Sequence, residues 1–170
     1  MEAGNAKSNP ALGFLTVLDH PQHGLFGGYL LLNLAGRPLE FHCTAPIRPN
    51  RAQQILYGPT LEAFLYGEQI GATLIAQAKT EALVVCTDRE PVLAVRQLVE
   101  MPVALLLAGE GPSGLVTFAV GRNRLAVPQR ADGDRQRIIE RLAETAESLD
   151  LAEPFTRIRE AIEEAQQGVR

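Results

Sequence analysis

The chain has 170 residues, 46% of them hydrophobic and 21% charged, with a net charge of −4. That length suits one domain with a sizeable core, and the composition is that of an ordinary globular protein, which sets aside disordered and fibrous classes. The negative balance argues against a nucleic-acid backbone as the main partner, because phosphates recruit Lys and Arg.

Of the 16 basic residues only Lys7 and Lys79 are lysines. The plain cause is codon usage in a GC-rich genome; the sharper one is arginine-driven recognition of carboxylate or phosphate. Cys43 and Cys86 are the only cysteines, and a domain of this size needs no disulfide. The opening stretch from Met1 to Pro10 lacks a basic segment followed by an apolar one, so no secretory leader is expected. No apolar run approaches the ~18 residues of a bilayer span. The expectation is a cytoplasmic protein that carries no cofactor.

Residues 1–10 are small and polar and read as a flexible tail. A strand-like run follows from Leu12 to Leu18, then a turn through Asp19-His20-Pro21-Gln22-His23-Gly24. The next strand, Phe26 to Leu34, is almost continuously apolar, the mark of a strand covered on both faces. Asn33-Leu34-Ala35-Gly36 has the residues of a type I turn and returns the chain into a third strand, Leu39 to Cys43. Residues 12–44 therefore read as an antiparallel meander.

Helical sequence comes next. Asn50 is placed to cap a first helix, and Pro59 fits the first turn of a second, which carries Leu61, Phe64, Leu65, Leu74, Ile75 and Ala78. Leu56-Tyr57-Gly58 is echoed by Leu65-Tyr66-Gly67, which reads as coincidence or as paired helix ends. Gly67-Glu68-Gln69-Ile70-Gly71 spells G-x-x-x-G. With Glu62 and Glu68 nearby it is no membrane motif; its glycines would let a helix lie close to the sheet or to a second subunit.

A βαβ pattern follows. Ala82 to Cys86 is a short buried-type strand, Thr87-Asp88-Arg89-Glu90 has the form of a capping box, a helix runs through Val92, Val95, Leu98 and Val99, and Pro102 opens a strand from Val103 to Ala108. A hairpin then joins Leu115–Val120 to Arg124–Val127. Two amphipathic helices close the chain, one with Ile138, Ile139, Leu142, Ala146 and Leu149, the other with Phe155, Ile158, Ile162 and Ala165.

The expected fold is thus α+β, a mixed α/β single domain. Residues 11–128 form the core, and residues 129–170 form a helical pair packed on that core or on a partner. A meander followed by helices resembles the element order of profilin-like ligand- and partner-binding folds, from which no activity follows.

Several residue groups bear on function. Gly109-Glu110-Gly111-Pro112-Ser113-Gly114 matches G-x-G-x-x-G, but a dinucleotide site needs a helix next. Leu115-Val116-Thr117-Phe118 is strand sequence instead, so a plain turn is expected. In the strand Glu40-Phe41-His42-Cys43-Thr44, alternation puts Glu40 and His42 on one face as an acid–base or surface pair. Cys43 lies on the other face, where a small core residue is expected. His20 and His23 offer two zinc ligands in a turn, but two more would have to converge from elsewhere, from among His42, Cys43 and Cys86, and with no C-x-x-C or H-E-x-x-H motif no metal is expected.

The strand end Cys86-Thr87-Asp88 lies where open α/β sheets favour ligands. A thiol there has either a lowered pKa or a place in the core. Arg48 and Arg51 flank a helix start and suit an anion.

No catalytic constellation is preferred over a structural explanation. The expected function is a non-enzymatic binding or scaffold module acting through protein–protein association, self-association included, with the apolar segment 55–75 as the surface. Two alternatives stand beside it. One is a small enzyme using His42 with Glu40, or Cys86. The other is an anion or nucleotide sensor using Arg48, Arg51 and the 87–90 helix start. A small-molecule ligand is compatible with all three; a membrane partner is not.

Overall fold

The computed structural model describes residues 10–143, 145 and 148–167. The expected tail, apart from Pro10, and Ala146 of the first C-terminal helix lie outside the described residues.

Strands β1 (Ala11–His20), β2 (Gly24–Asn33) and β3 (Pro38–Cys43) pair antiparallel, as the meander reading expected. The β2–β3 link is the Asn33–Gly36 turn, in which the Gly36 N–H donates to the Asn33 carbonyl at 2.9 Å. The Asn33 side-chain oxygen also accepts from the N–H groups of Ala35 and Arg37. Gly36 has φ +86, a region that favours glycine.

The meander is one end of a seven-stranded sheet in the order β3-β2-β1-β4-β5-β7-β6. Strand β4 (Val84–Thr87) runs parallel to β1 on one side and to β5 (Val103–Leu106) on the other. The hairpin β6 (Leu115–Val120) and β7 (Asn123–Pro128) adds to β5 in antiparallel sense. Strands β2, β1 and β4 are buried along nearly their whole length, which explains their unbroken apolar sequence.

Alternation in β1 divides the core in two. Ala11, Leu15 and Val17 face one apolar cluster with Leu65, Ile70, Leu74, Val92 and Val95. Leu12 and Phe14 face the other, with Cys86, Ile138, Leu142, Phe155, Ile158 and Ile162. Residues 63–77 and 90–98 therefore cover one face of the sheet. The C-terminal helices α3 (Gly133–Leu142) and α4 (Glu153–Gln167) cover the other. Their buried stripes at Ile138 and Leu142, and at Phe155, Ile158 and Ile162, belong to the core.

The helical stretch 51–77 is not uniform. Helix α1 (Arg51–Tyr57) gives way to a 3₁₀ turn (Gly58–Thr60), then a π-helical segment (Ala63–Gly71), then α2 (Ala72–Gln77). The glycines of the G-x-x-x-G run serve close packing. A Cβ on Gly67 would stand 2.8 Å from the Ala94 Cβ and 2.9 Å from the Val95 nitrogen, and one on Gly71 would stand 3.3 Å from Leu15. The first glycine thus admits the β4–β5 crossover and the second admits the sheet. The Leu-Tyr-Gly echo has no structural counterpart: Leu56 is exposed and Leu65 buried.

The expected capping box at 87–90 does not form. Thr87 is the last residue of β4, and the helix starts at Glu90 with Arg89 as its N-cap and no side-chain cap bond. Thr87 Oγ1 instead accepts the Arg89 N–H at 3.1 Å in a local turn. Pro91, within the first turn, fixes the start at that point. The crossover helix Glu90–Leu98 is 3₁₀ rather than α. Three residues per turn align Val92 and Val95, both fully buried, on one ridge against the sheet.

Candidate functional site

Strands β1, β4 and β5 run in the same direction, and their carboxyl ends open on one edge of the sheet. Leu15 pairs with Thr87, and Thr87 with Leu105, so Thr16, Asp88 and Leu106 emerge at the same level. Open α/β sheets place ligands at such an edge. Here it holds a cleft of about 580 Å³, whose lining includes Asp88, Leu106, Arg122, Arg124, Asp150 and Arg159. A volume of this order suits a small molecule.

The side chains are anchored from three elements. Asp88 Oδ1 accepts from the hydroxyl of Thr16 at 2.6 Å, and Thr16 is buried. Asp88 Oδ2 accepts from Arg159 of α4 at 3.2 Å. The Asp88 carboxylate is thus held between β1 and the C-terminal helix, with its charge balanced by Arg159. Arg122 and Arg124 come from the β6–β7 turn and the start of β7. Arg124 donates one bond, at 3.3 Å, to the Gly109 carbonyl. Arg122 makes no hydrogen bond or ion pair among the described residues. Asp150 Oδ1 accepts the Ala152 N–H at 2.9 Å.

The expected site residues fall in four separate places. Asp88 is in the cleft. Thr87 is buried beneath it, its hydroxyl turned back to Arg89. Cys86 is fully buried, and that burial pushes its thiol up to about 12. A thiol in that state is neither exposed nor ionised at neutral pH, which leaves the reactive-thiol reading without an accessible sulfur.

Glu40 and His42 do meet, with His42 Nε2 2.8 Å from Glu40 Oε1. The carboxylate is committed elsewhere as well: it accepts the backbone N–H of Lys79 at 3.0 Å and of Thr80 at 2.7 Å. Hydrogen bonding by Thr80 first, then by His42, holds Glu40 down to about 2. Such a group is a permanent acceptor that ties β3 to the chain leaving α2, and it orients the imidazole.

Arg48 and Arg51 stay apart from the strand end. Both are exposed, Arg51 reaches only Gln54 at 3.4 Å, and neither lines the cleft at Asp88. Asn50 supplies what that segment is built for. Its side chain accepts the Gln53 N–H at 2.8 Å while Gln53 Oε1 accepts the Asn50 N–H at 3.0 Å, a reciprocal cap for α1.

Cys43 is exposed rather than a small core residue. Strand β3 is the edge of the sheet and α4 packs over β1 and β2, so the Leu39–Phe41–Cys43 face is left partly open. His20 and His23 lie side by side with ring centroids 4.6 Å apart and their planes tilted by 33°. His20 Nδ1 is taken up by the N–H groups of Gln22 and His23, each at 3.1 Å. No group of three His, Cys, Asp or Glu side chains among the described residues is placed to hold a metal ion. No helix among them is long and apolar enough to cross a membrane. The glycine-rich run 109–114 leads directly into β6, as a turn.

Thr16, Arg122, Arg124, Asp150 and Arg159 were not among the expected site residues. The signal for the arginines was present in Gly121-Arg122-Asn123-Arg124, a hairpin turn with two cations. What sequence did not provide was the addition of that hairpin to β5. No protein-family model matches the chain, and no curated protein matches it significantly.

Proposed function

We propose that this chain is a non-enzymatic binding or scaffold module that acts through protein–protein association, with α1 as its contact element and a second copy of the chain as its partner. One observation carries the reading. Helix α1 has no buried residue, yet it holds Ile55 at 63% and Leu56 at 83% exposure.

A seven-residue helix is marginal in water on its own. The capping box at Asn50 and Gln53 and the stacking of Tyr57 on Phe64 at 4.2 Å hold this one in shape, although it contributes nothing to the core. Burying the two aliphatic side chains on a partner would contribute about 1.5–3 kcal/mol each. Arg51 is the sole charge in Arg51–Tyr57, which fits the charge-poor centre of an interface.

Native mass spectrometry of the gently purified chain tests the reading. A dimer or higher assembly supports it. A strict monomer at all concentrations removes its basis.

A further inference from the structure

We propose that the cleft at the carboxyl ends of β4 and β5 binds a small organic phosphate, with Arg122 and Arg124 on the phosphate and Asp150 on a hydroxyl of the organic body. This site is separate from α1 and does not depend on the association reading.

The cleft sets three arginines against two carboxylates, Asp88 and Asp150, and the remaining positive charge points to an anion. Of the three arginines that line it, Arg159 is neutralised by Asp88 at 3.2 Å. Arg124 spends one N–H on a backbone carbonyl, and Arg122 has no partner among the described residues. Two guanidinium groups therefore retain unused donors on one rim. A carboxylate satisfies one such fork; a phosphate monoester, with about two charges and three acceptor oxygens, can engage two.

The size of the cleft calls for more than a bare ion. About 580 Å³ exceeds what an inorganic phosphate fills. Leu106 and Leu107 offer partly exposed apolar surface beside the arginines. The Asp150 oxygen that is not bonded to Ala152 is an acceptor for a ligand hydroxyl. Asp88 is the less available acceptor, because Thr16 and Arg159 already bond to its two oxygens, one to each. Its role is to position Arg159 and close the inner wall.

The test is calorimetric titration of the full chain with four probes: adenosine monophosphate, glycerol phosphate, inorganic phosphate and adenosine. At least one ester is expected to bind about tenfold or more tighter than inorganic phosphate, and adenosine not to bind. Affinity should fall as salt is raised, because the contacting charges are exposed.

The double variant R122A/R124A should lose binding by about tenfold or more while its melting temperature stays that of the wild type, since both side chains are exposed. R122K/R124K keeps the charge without the fork and should fall in between. Equal binding by the double alanine variant would overturn the proposal. So would adenosine binding as well as its monophosphate, inorganic phosphate binding as tightly as the esters, or no ester binding at ~10 mM.

Discussion

Arg96 and Asp134 join the two helical layers of the protein. Arg96, from the crossover helix on one face of the sheet, places Nε 2.7 Å from Oδ2 and an amino nitrogen 3.4 Å from Oδ1 of Asp134, in the first turn of α3 on the other face. Arg137 adds a bond to Oδ1 at 3.1 Å, and Arg96 also donates to the Val99 carbonyl at 2.8 Å. The Asp134 side chain is 5% exposed, against 27% for Arg96 and 39% for Arg137. Removing the carboxylate leaves two cations that water can still reach, so the cost is below that of orphaning a buried charge. Asp134→Ala should lower stability by about 2–3 kcal/mol in chemical denaturation. Arg137→Ala, at the wetter side, should cost about 1 kcal/mol or less. Equal effects would show that the buried carboxylate is not the centre of the contact.

The two cysteines should behave as opposites. Cys43 is exposed on the edge strand and Cys86 is fully buried with its thiol pushed up to about 12. A thiol reagent at neutral pH should modify one cysteine in the native protein and both after unfolding. Cys43→Ser should abolish the native reaction. Rapid modification of Cys86 in the folded state would contradict the burial of the β4 end and reopen a nucleophilic role for it.

Glu40 gives a defined pH window. Its folded value lies near 2, below the ordinary 4.5, because Thr80, His42 and the Lys79 N–H bond to its charged form. A carboxyl lowered on folding contributes stability that is present above its unfolded value and lost as pH falls through its folded one. Wild type should be more stable than Glu40→Gln at neutral pH, and the gap should close between pH 4.5 and about 2. Thermal unfolding of both proteins across that range checks it. A gap that stays constant would mean that the ionised form carries no advantage.

Two glycine substitutions should have unlike effects. A Cβ on Gly67 meets Ala94 and the Val95 nitrogen within 3 Å, whereas one on Gly133, at the start of α3, meets nothing within 4 Å. Gly67→Ala should destabilise by about 1–3 kcal/mol through overpacking, in spite of its better helix propensity. Gly133→Ala should be neutral or stabilising by about 0.5–1 kcal/mol. Denaturant midpoints of the two variants give the comparison directly.

Local pattern carried much of the fold. The Asn33–Gly36 turn, the Asn50 cap, the unbroken apolar run in β2, and the stripes of α3 to Leu142 and of α4 to Ile162 could each be read from a few adjacent residues, whereas Leu149 lies beyond the end of α3 and Ala165 is exposed. Long-range pairing could not. Nothing in Leu12–Leu18 says that it lies parallel to Val84–Thr87, and that contact places Thr16 beside Asp88 and creates the cleft. Thr87-Asp88-Arg89-Glu90 matched a capping box in spacing, but the helix starts only at Glu90, with Arg89 as its N-cap and Pro91 in its first turn. Cys43 was expected in the core by residue type, and its place on an edge strand exposed it. Asp88 was legible as a strand-end residue. Arg122, Arg124 and Arg159 were not, because they reach the cleft from a hairpin and a helix remote in sequence.

Sedimentation equilibrium of the wild type beside the double variant Ile55→Asp, Leu56→Asp shows whether α1 is an association element. Both side chains are exposed at 63% and 83% in the isolated chain, so the variant should still fold, with a melting temperature below that of the wild type only by what association adds. A self-associated wild type and a monomeric variant are expected. A monomeric wild type, or a variant that assembles as the wild type does, would contradict that role of α1.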